Sequence, residues 1–226
     1  MNKSTITLSL LALGAIGLGA IGWSQPAPDP IYSFKEERMI LEYTTGAEEA
    51  VVIIEAESEH SLGRIEIRSP GGEPIIKLWT AAGRSLALQG FLVETRETSL
   101  ASLLESFEEG IFELNGQTTD GIEVTGRARF SHELLRAPII VFPLDGAVGV
   151  PTDMTVSWIT DPNARAYRVV LEQDENDGLV VELPAGSHSF QVPDGVLDSG
   201  TETQVEVGAV SRHGNCTLVE VIVTTW

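Results

Sequence analysis

Cysteine is nearly absent. Cys216 is the only one in 226 residues, so no disulfide can form within the chain. A domain exported without disulfides must be held by burial alone, a habit that fits bacterial exported proteins better than animal extracellular ones. Basic residues are scarce as well: 14 Lys and Arg stand against 33 Asp and Glu, a formal net charge of −19. Phosphate backbones and anionic headgroups both need basic partners, so nucleic acid and anionic membrane surfaces are excluded. Aromatics make up 6% of the chain, too few to fill cores and also leave a coplanar row for stacking on sugars. No Gly-x-Ser-x-Gly elbow, phosphate loop or His-Glu-x-x-His helix is present. His60, His132 and His188 have no serine or carboxylate at triad spacing. The expectation is a noncatalytic protein with no cofactor.

Charge is missing altogether from Ile6 to Trp23, directly after Lys3. That is the basic start and apolar stretch of a secretory signal peptide. Gly22-Trp23-Ser24 sets small residues where a signal peptidase reads, which puts the cut before Gln25, with a second option after Ala20. Gly14, Gly17, Gly19 and Gly22 weaken the same run as a permanent membrane helix. The remainder is therefore expected to be periplasmic or secreted, with no membrane contact after cleavage. Gln25-Pro-Ala-Pro-Asp-Pro30 follows as a stiff spacer.

What is abundant is the short run of Val, Ile, Leu and aromatics, cut by Gly, Pro and Asp. Met39–Thr44, Ala50–Glu57, Arg64–Arg68, Pro74–Thr80, Gly90–Thr95, Gly110–Leu114 and Ile122–Ser131 are predicted strands. Ile65 and Ile67 alternate with Glu66 and Arg68; Val124, Ala128 and Phe130 alternate with Glu123, Thr125, Arg127 and Arg129. Period two of this kind is a half-buried strand. Turns are predicted at Pro70-Gly71-Gly72, Ala82-Gly83, Asn115-Gly116 and Asp120-Gly121. One helix interrupts: Leu100, Leu103, Leu104 and Phe107 share a face at i, i+3, i+4 and i+7. Thr98 or Ser99 can cap it, Gly110 follows it, and it is expected to plug the end of a sandwich. Residues 109–121 resemble the last hairpin of bacterial immunoglobulin-like domains.

After a short join at Arg136-Ala137-Pro138 the alternation resumes. Met154, Val156 and Trp158 fall on one side of a strand, Ala166–Glu172 follows, and Val205, Val207 and Ala209 alternate with Glu206 and Gly208. These residues resemble fibronectin type III domains. Trp158 stands for the family's core tryptophan, Tyr167-Arg168-Val169 for its third strand, and Leu197-Asp-Ser-Gly200-Thr201 for the approach to its sixth. Gly214-Asn215 matches the turn into the last strand. The departures are Ser199, where the family has proline, and Thr203, where it has the corner tyrosine whose hydrogen bond ties the corner. The resemblance covers residues 138–226 and implies a fold, not a function. The expected organisation is a signal peptide (1–24), a spacer (25–30), a β-sandwich (31–136) and a fibronectin type III-like sandwich (138–226). That makes the chain all-β, with two antiparallel sandwiches in tandem and one short helix in the first.

Few residues stand out as sites. Glu55, Glu57, Glu59 and His60 are close enough to suggest a metal, but acids alternating on a strand are more simply a solvated face. Asp174, Asn176 and Asp177 before Gly178 resemble part of a calcium loop without its bidentate glutamate, and such residues favour turns without an ion. Glu105 with Glu108 or Glu109 is an ordinary solubilising cluster. Asn215-Cys216-Thr217 fits the glycosylation acceptor pattern as a coincidence of composition. Trp79 can stack on a sugar or a partner; the simpler reading packs it under a loop or against the second domain. Arg212 and His213 should lie in the loop before the last strand, a place used for partner contact in the family and otherwise a polar turn. The overall expectation is an exported protein-binding or scaffolding module of the bacterial envelope. Its partner would be another envelope or extracellular protein, with a surface glycan as an option. The rival expectations are a carbohydrate-binding protein and an enzyme with its site in residues 31–136.

Overall fold

The computed structural model describes residues 31–79, 88–173 and 177–226. The predicted signal peptide and spacer, the Ala82-Gly83 turn, Asp174 and Asn176 lie outside them.

The long third strand organises the first half. β1 (Ile31–Ser33) pairs in parallel with β8 (Glu123–Phe130), and β2 (Glu36–Thr44) forms a hairpin with β3 (Glu49–Arg68). The first part of β3 pairs with β2 and β5 (Leu88–Glu94); its last part pairs with β4 (Pro74–Trp79) and β7 (Gly110–Thr118). Two separate strands are predicted here, Ala50–Glu57 and Arg64–Arg68. The structure joins them, because Ser58 and Leu62 are buried in the intervening stretch and the ladders absorb the bend as register shifts. The predicted Asn115-Gly116 turn is also corrected. Both residues lie inside β7, and the hairpin turns at Asp120-Gly121, where Gly121 has φ +95° and Thr118 bonds Ile122 across the turn. Glycine is needed at 116 for another reason: a Cβ there would press on the Phe34 ring at 3.3 Å.

α1 (Leu100–Ser106) forms as its pattern predicts, just after the two-residue strand β6 (Thr98–Ser99). Ser99 caps it by accepting the Ser102 N–H. Leu103 is buried, and Leu100, Leu104 and Phe107 pack on the first core, which is centred on Leu41, Ile54, Ile65, Phe112 and Phe130.

The second half has two sheets. β9 (Ile139–Phe142), β11 (Thr155–Ile159) and β14 (Ser189–Gln191) make one; β12 (Ala166–Gln173), β13 (Asp177–Pro184), β15 (Glu202–Val210) and β16 (Cys216–Thr225) make the other. β10 (Val148–Val150) runs parallel to β16. Trp158 lies 5.6 Å from Tyr167, ring centre to ring centre, in a core with Val156, Val169, Leu171, Val205 and Val207. Where the corner tyrosine is missing, a buried polar cluster takes its place. Gln173 Nε2 donates to Thr203 Oγ1 (2.7 Å) and to the Asp198 carbonyl (3.0 Å), and Gln173 Oε1 accepts the Asp198 N–H (2.6 Å). The chain is all-β, with two sandwiches in tandem.

The two halves share one sheet. β16 pairs in parallel with β2, Cys216 opposite Glu42 and Leu218 opposite Thr44. The free edge of the second sandwich is thereby covered. Ile40, on the outer side of β2, is 4% exposed because the β15–β16 turn lies over it; Gly214 there has φ +89°, and a Cβ would sit 3.1 Å from Ile40 Cγ2. Asn215 is fully engaged in the joint. Its Oδ1 accepts the Leu41 N–H (3.0 Å), and its Nδ2 donates to the carbonyls of Ser131 (2.7 Å) and Glu133 (3.0 Å). An amide so enclosed cannot carry a glycan in the folded protein. Arg168 and Glu42 form an ion pair across the same joint, with side-chain exposures of 19% and 15%.

Candidate functional site

The strongest polar surface lies on the outer side of the first sandwich. Register sets Trp79, Arg64, Gln117 and Glu123 in one row across β4, β3, β7 and β8, and Lys77, Glu66, Asn115 and Thr125 in the next. Arg64, Glu66, Asn115, Gln117, Glu123 and Thr125 line adjoining cavities of about 580 Å³ and about 450 Å³, which share Glu113, Asn115 and Thr125, while Trp79 and Lys77 stand beside them on β4. Glu66 is the anchor of this face. Its carboxylate is 6% exposed and meets Arg64 and Lys77 at 3.3 Å each, and Arg68 as well. Burial alone would raise its pKa, but hydrogen bonds and charge from Lys77 and Arg68 outweigh burial and hold it below the ordinary carboxylate range. Arg127 and Glu113 sit 3.7 Å apart at the far side.

Trp79 is 73% exposed at the end of β4. The packed rim reading for it therefore fails. β4 contributes only Ile76 to the core, while Ile75 (40%) and Leu78 (37%) are exposed too. Arg212 and His213 are far from this in the chain and do a different job. Arg212 Nη2 meets Glu133 Oε2 at 2.7 Å, and His213 Nε2 approaches the same oxygen at 3.4 Å. Both residues thus meet Glu133 in the segment that leads out of the first half, and the Arg212 side chain stays 74% exposed.

Glu55, Glu57 and His60 each have a separate partner. Glu57 pairs with Lys35 (3.1 Å), Glu55 with Arg38 (2.7 Å), and His60 stacks on Tyr32 at 3.9 Å. Among the described residues, no three His, Cys, Asp or Glu side chains come together as metal ligands. Glu108 accepts the Gly71 N–H, and Glu109 accepts the His132 N–H and the Ser131 hydroxyl, so each ties a turn or strand end in place.

Sequence patterning missed a second surface. On the open face of β9 and β11, Ile139 (62% exposed) stands opposite Ile159 (56%), beside Val141 and Phe142. Outward positions of a sandwich strand are ordinarily polar. The run Ile139-Ile-Val-Phe142 carries the signal, since four consecutive apolar residues on a strand cannot all face one core.

Among known proteins, no family model and no curated sequence matches the chain. Solved structures similar to it include a two-domain fibronectin type III segment of chicken tenascin (12% identity, TM-score 0.31, covering 85% of this chain and 99% of that one). The fibronectin(III)-like modules of Clostridium thermocellum CbhA match at 12% identity and TM-score 0.29, over 85% of this chain and 93% of that one. Tp47, a 47-kilodalton lipoprotein of Treponema pallidum, matches at 12% identity and TM-score 0.36, over 78% and 47%. These overlaps are loose, and the second sandwich is defined by its own strand order.

Proposed function

We propose that the chain is an exported, noncatalytic protein-binding or scaffolding module of the bacterial envelope. The supporting observation is the apolar strip of Ile139, Val141, Phe142 and Ile159 on a sheet face open to water. Apolar side chains grouped on a wet face gain free energy when a partner covers them. The formal charge of −19 selects a partner whose contact is apolar at the centre and basic at the rim. A joint locked by a shared ladder presents this strip at a set angle to the first sandwich, which suits a spacer between partners. Export rests on the uncharged N-terminal run.

The test is capture of partners from envelope extracts by the mature chain and by an Ile139→Lys/Ile159→Lys variant. The expected result is one protein held at fixed stoichiometry by the wild type and lost in the variant. Capture that survives both substitutions would overturn the reading. Sequencing the mature N-terminus should find Gln25 first.

A further inference from the structure

We infer that the outer face of β4, β3, β7 and β8 is a binding site for a neutral saccharide, separate from the protein contact proposed above and on the other sandwich. Charge is the first reason. Arg64, Arg68, Lys77 and Arg127 face Glu37, Glu66, Glu113 and Glu123 there, so the surface is balanced in a chain that is otherwise strongly acidic. A balanced face holds neither an anion nor a cation strongly. Chemistry is the second. Guanidinium and carboxamide donors alternate with carboxylate, carboxamide and hydroxyl acceptors along two adjacent rows. A sugar hydroxyl donates and accepts at once, and it is the ligand group that uses such a mixture fully.

Shape is the third reason. The cavity opens to solvent along Arg64 and Gln117, and Trp79, just outside its lining, stands at the end of the same row, next in register to Arg64. With strands about 4.8 Å apart, Trp79 and Gln117 are about 10 Å apart across the sheet. That is room for a short run of sugar rings, with the indole face under one ring and Asn115 and the Gln117 Oε1 bonding the next, the Gln117 Nε2 being held by the Gly121 carbonyl at 3.1 Å. Glu66 acts here as a positioning residue: held ionised, it orients Arg64 and Lys77, leaving their remaining N–H groups to the ligand.

The experiment is affinity electrophoresis of the mature chain through gels carrying a soluble β-glucan, a mannan, a xylan or polygalacturonate, with Trp79→Ala and Gln117→Ala beside the wild type. Both substitutions are at partly or fully exposed positions, and circular dichroism checks that each variant folds. At least one neutral polymer should retard the wild type, each variant should bind it at least tenfold more weakly, and polygalacturonate should not retard the chain. The inference is overturned if no neutral polymer retards the wild type, if only polygalacturonate does, or if both variants bind as the wild type does. The Ile139→Lys/Ile159→Lys variant should bind saccharide normally, and Trp79→Ala should capture protein normally, so the two readings fail separately.

Discussion

Asn215→Ala probes the joint between the sandwiches most directly. The side chain is 1% exposed and satisfies three backbone groups, the Leu41 N–H and the carbonyls of Ser131 and Glu133. A net hydrogen bond contributes about 1 kcal/mol, and an orphaned buried donor costs about 1–3 kcal/mol. Leu41 is fully buried, so no water reaches its amide without opening the joint. The Glu133 carbonyl tolerates the loss better, since its hydrogen bond is only part-buried, whereas that of Ser131 is buried. The expected cost is about 2–4 kcal/mol, read by urea unfolding with tryptophan fluorescence. Asn215→Asp sharpens the test. It keeps the acceptor for Leu41 but turns an anionic oxygen toward two carbonyls, so at pH 7 it should cost at least as much as alanine. Relative to wild type at the same pH, it should recover in part as the pH falls and the carboxyl regains a proton to donate. A loss under about 0.5 kcal/mol for alanine, or an aspartate variant as stable as wild type at pH 7, would refute the assignment of Asn215 as the latch.

Four further outcomes are expected. Glu42→Gln leaves the half-buried Arg168 without its countercharge and should cost about 2–3 kcal/mol, whereas Glu42→Leu with Arg168→Met should fall within about 1 kcal/mol of wild type, because a buried pair is worth little net of desolvation; a double-mutant cycle in urea checks both. Thr203→Val removes the acceptor of Gln173 at equal volume and should cost about 1–2 kcal/mol, with no such loss for Thr201→Val at the rim as the control. Burial pushes the Glu206 carboxyl above its ordinary value, and neighbouring Glu172 and Glu220 add to the effect against a hydrogen bond from Gln204. The folded state therefore binds that proton more tightly than the unfolded chain, and ionised Glu206 costs stability at neutral pH. Glu206→Gln should gain about 0.5 kcal/mol at pH 7, a gain that vanishes in melts taken below the ordinary value of 4.5. Burial also pushes the Cys216 thiol up to about 12, so a thiol reagent at pH 8 should leave the folded protein unlabelled and react fully in urea.

Much of the fold was legible because short-range periodicity carries it. Met154, Val156 and Trp158 alternate in the sequence and are all buried in the structure. Ser99, Leu103 and Phe107 announce a capped helix, and α1 begins and ends there. The joint was legible only in hindsight. Met39, Ile40 and Leu41 break the alternation of β2: Met39 and Leu41 enter the first core, and Ile40 must be covered from the other side. A pattern of that kind says that something covers the residue but not what. The polar face was invisible for a different reason. Arg64, Asn115 and Thr125 look like ordinary solvated positions, and only the register of β3, β7 and β8 puts them side by side.

The order of residues alone determined the all-β class, the helix, the two sets of core side chains and the acidic surface, because each follows from local alternation and composition. Tertiary structure decided which edges meet. The parallel ladder between β16 and β2, the latch at Asn215, the capture of Arg212 and His213 by Glu133, and the assembly of one polar face from four strands all depend on contacts between residues up to 174 positions apart. Periodicity sets which side of a strand is buried, and it carries no information on the neighbour that buries it.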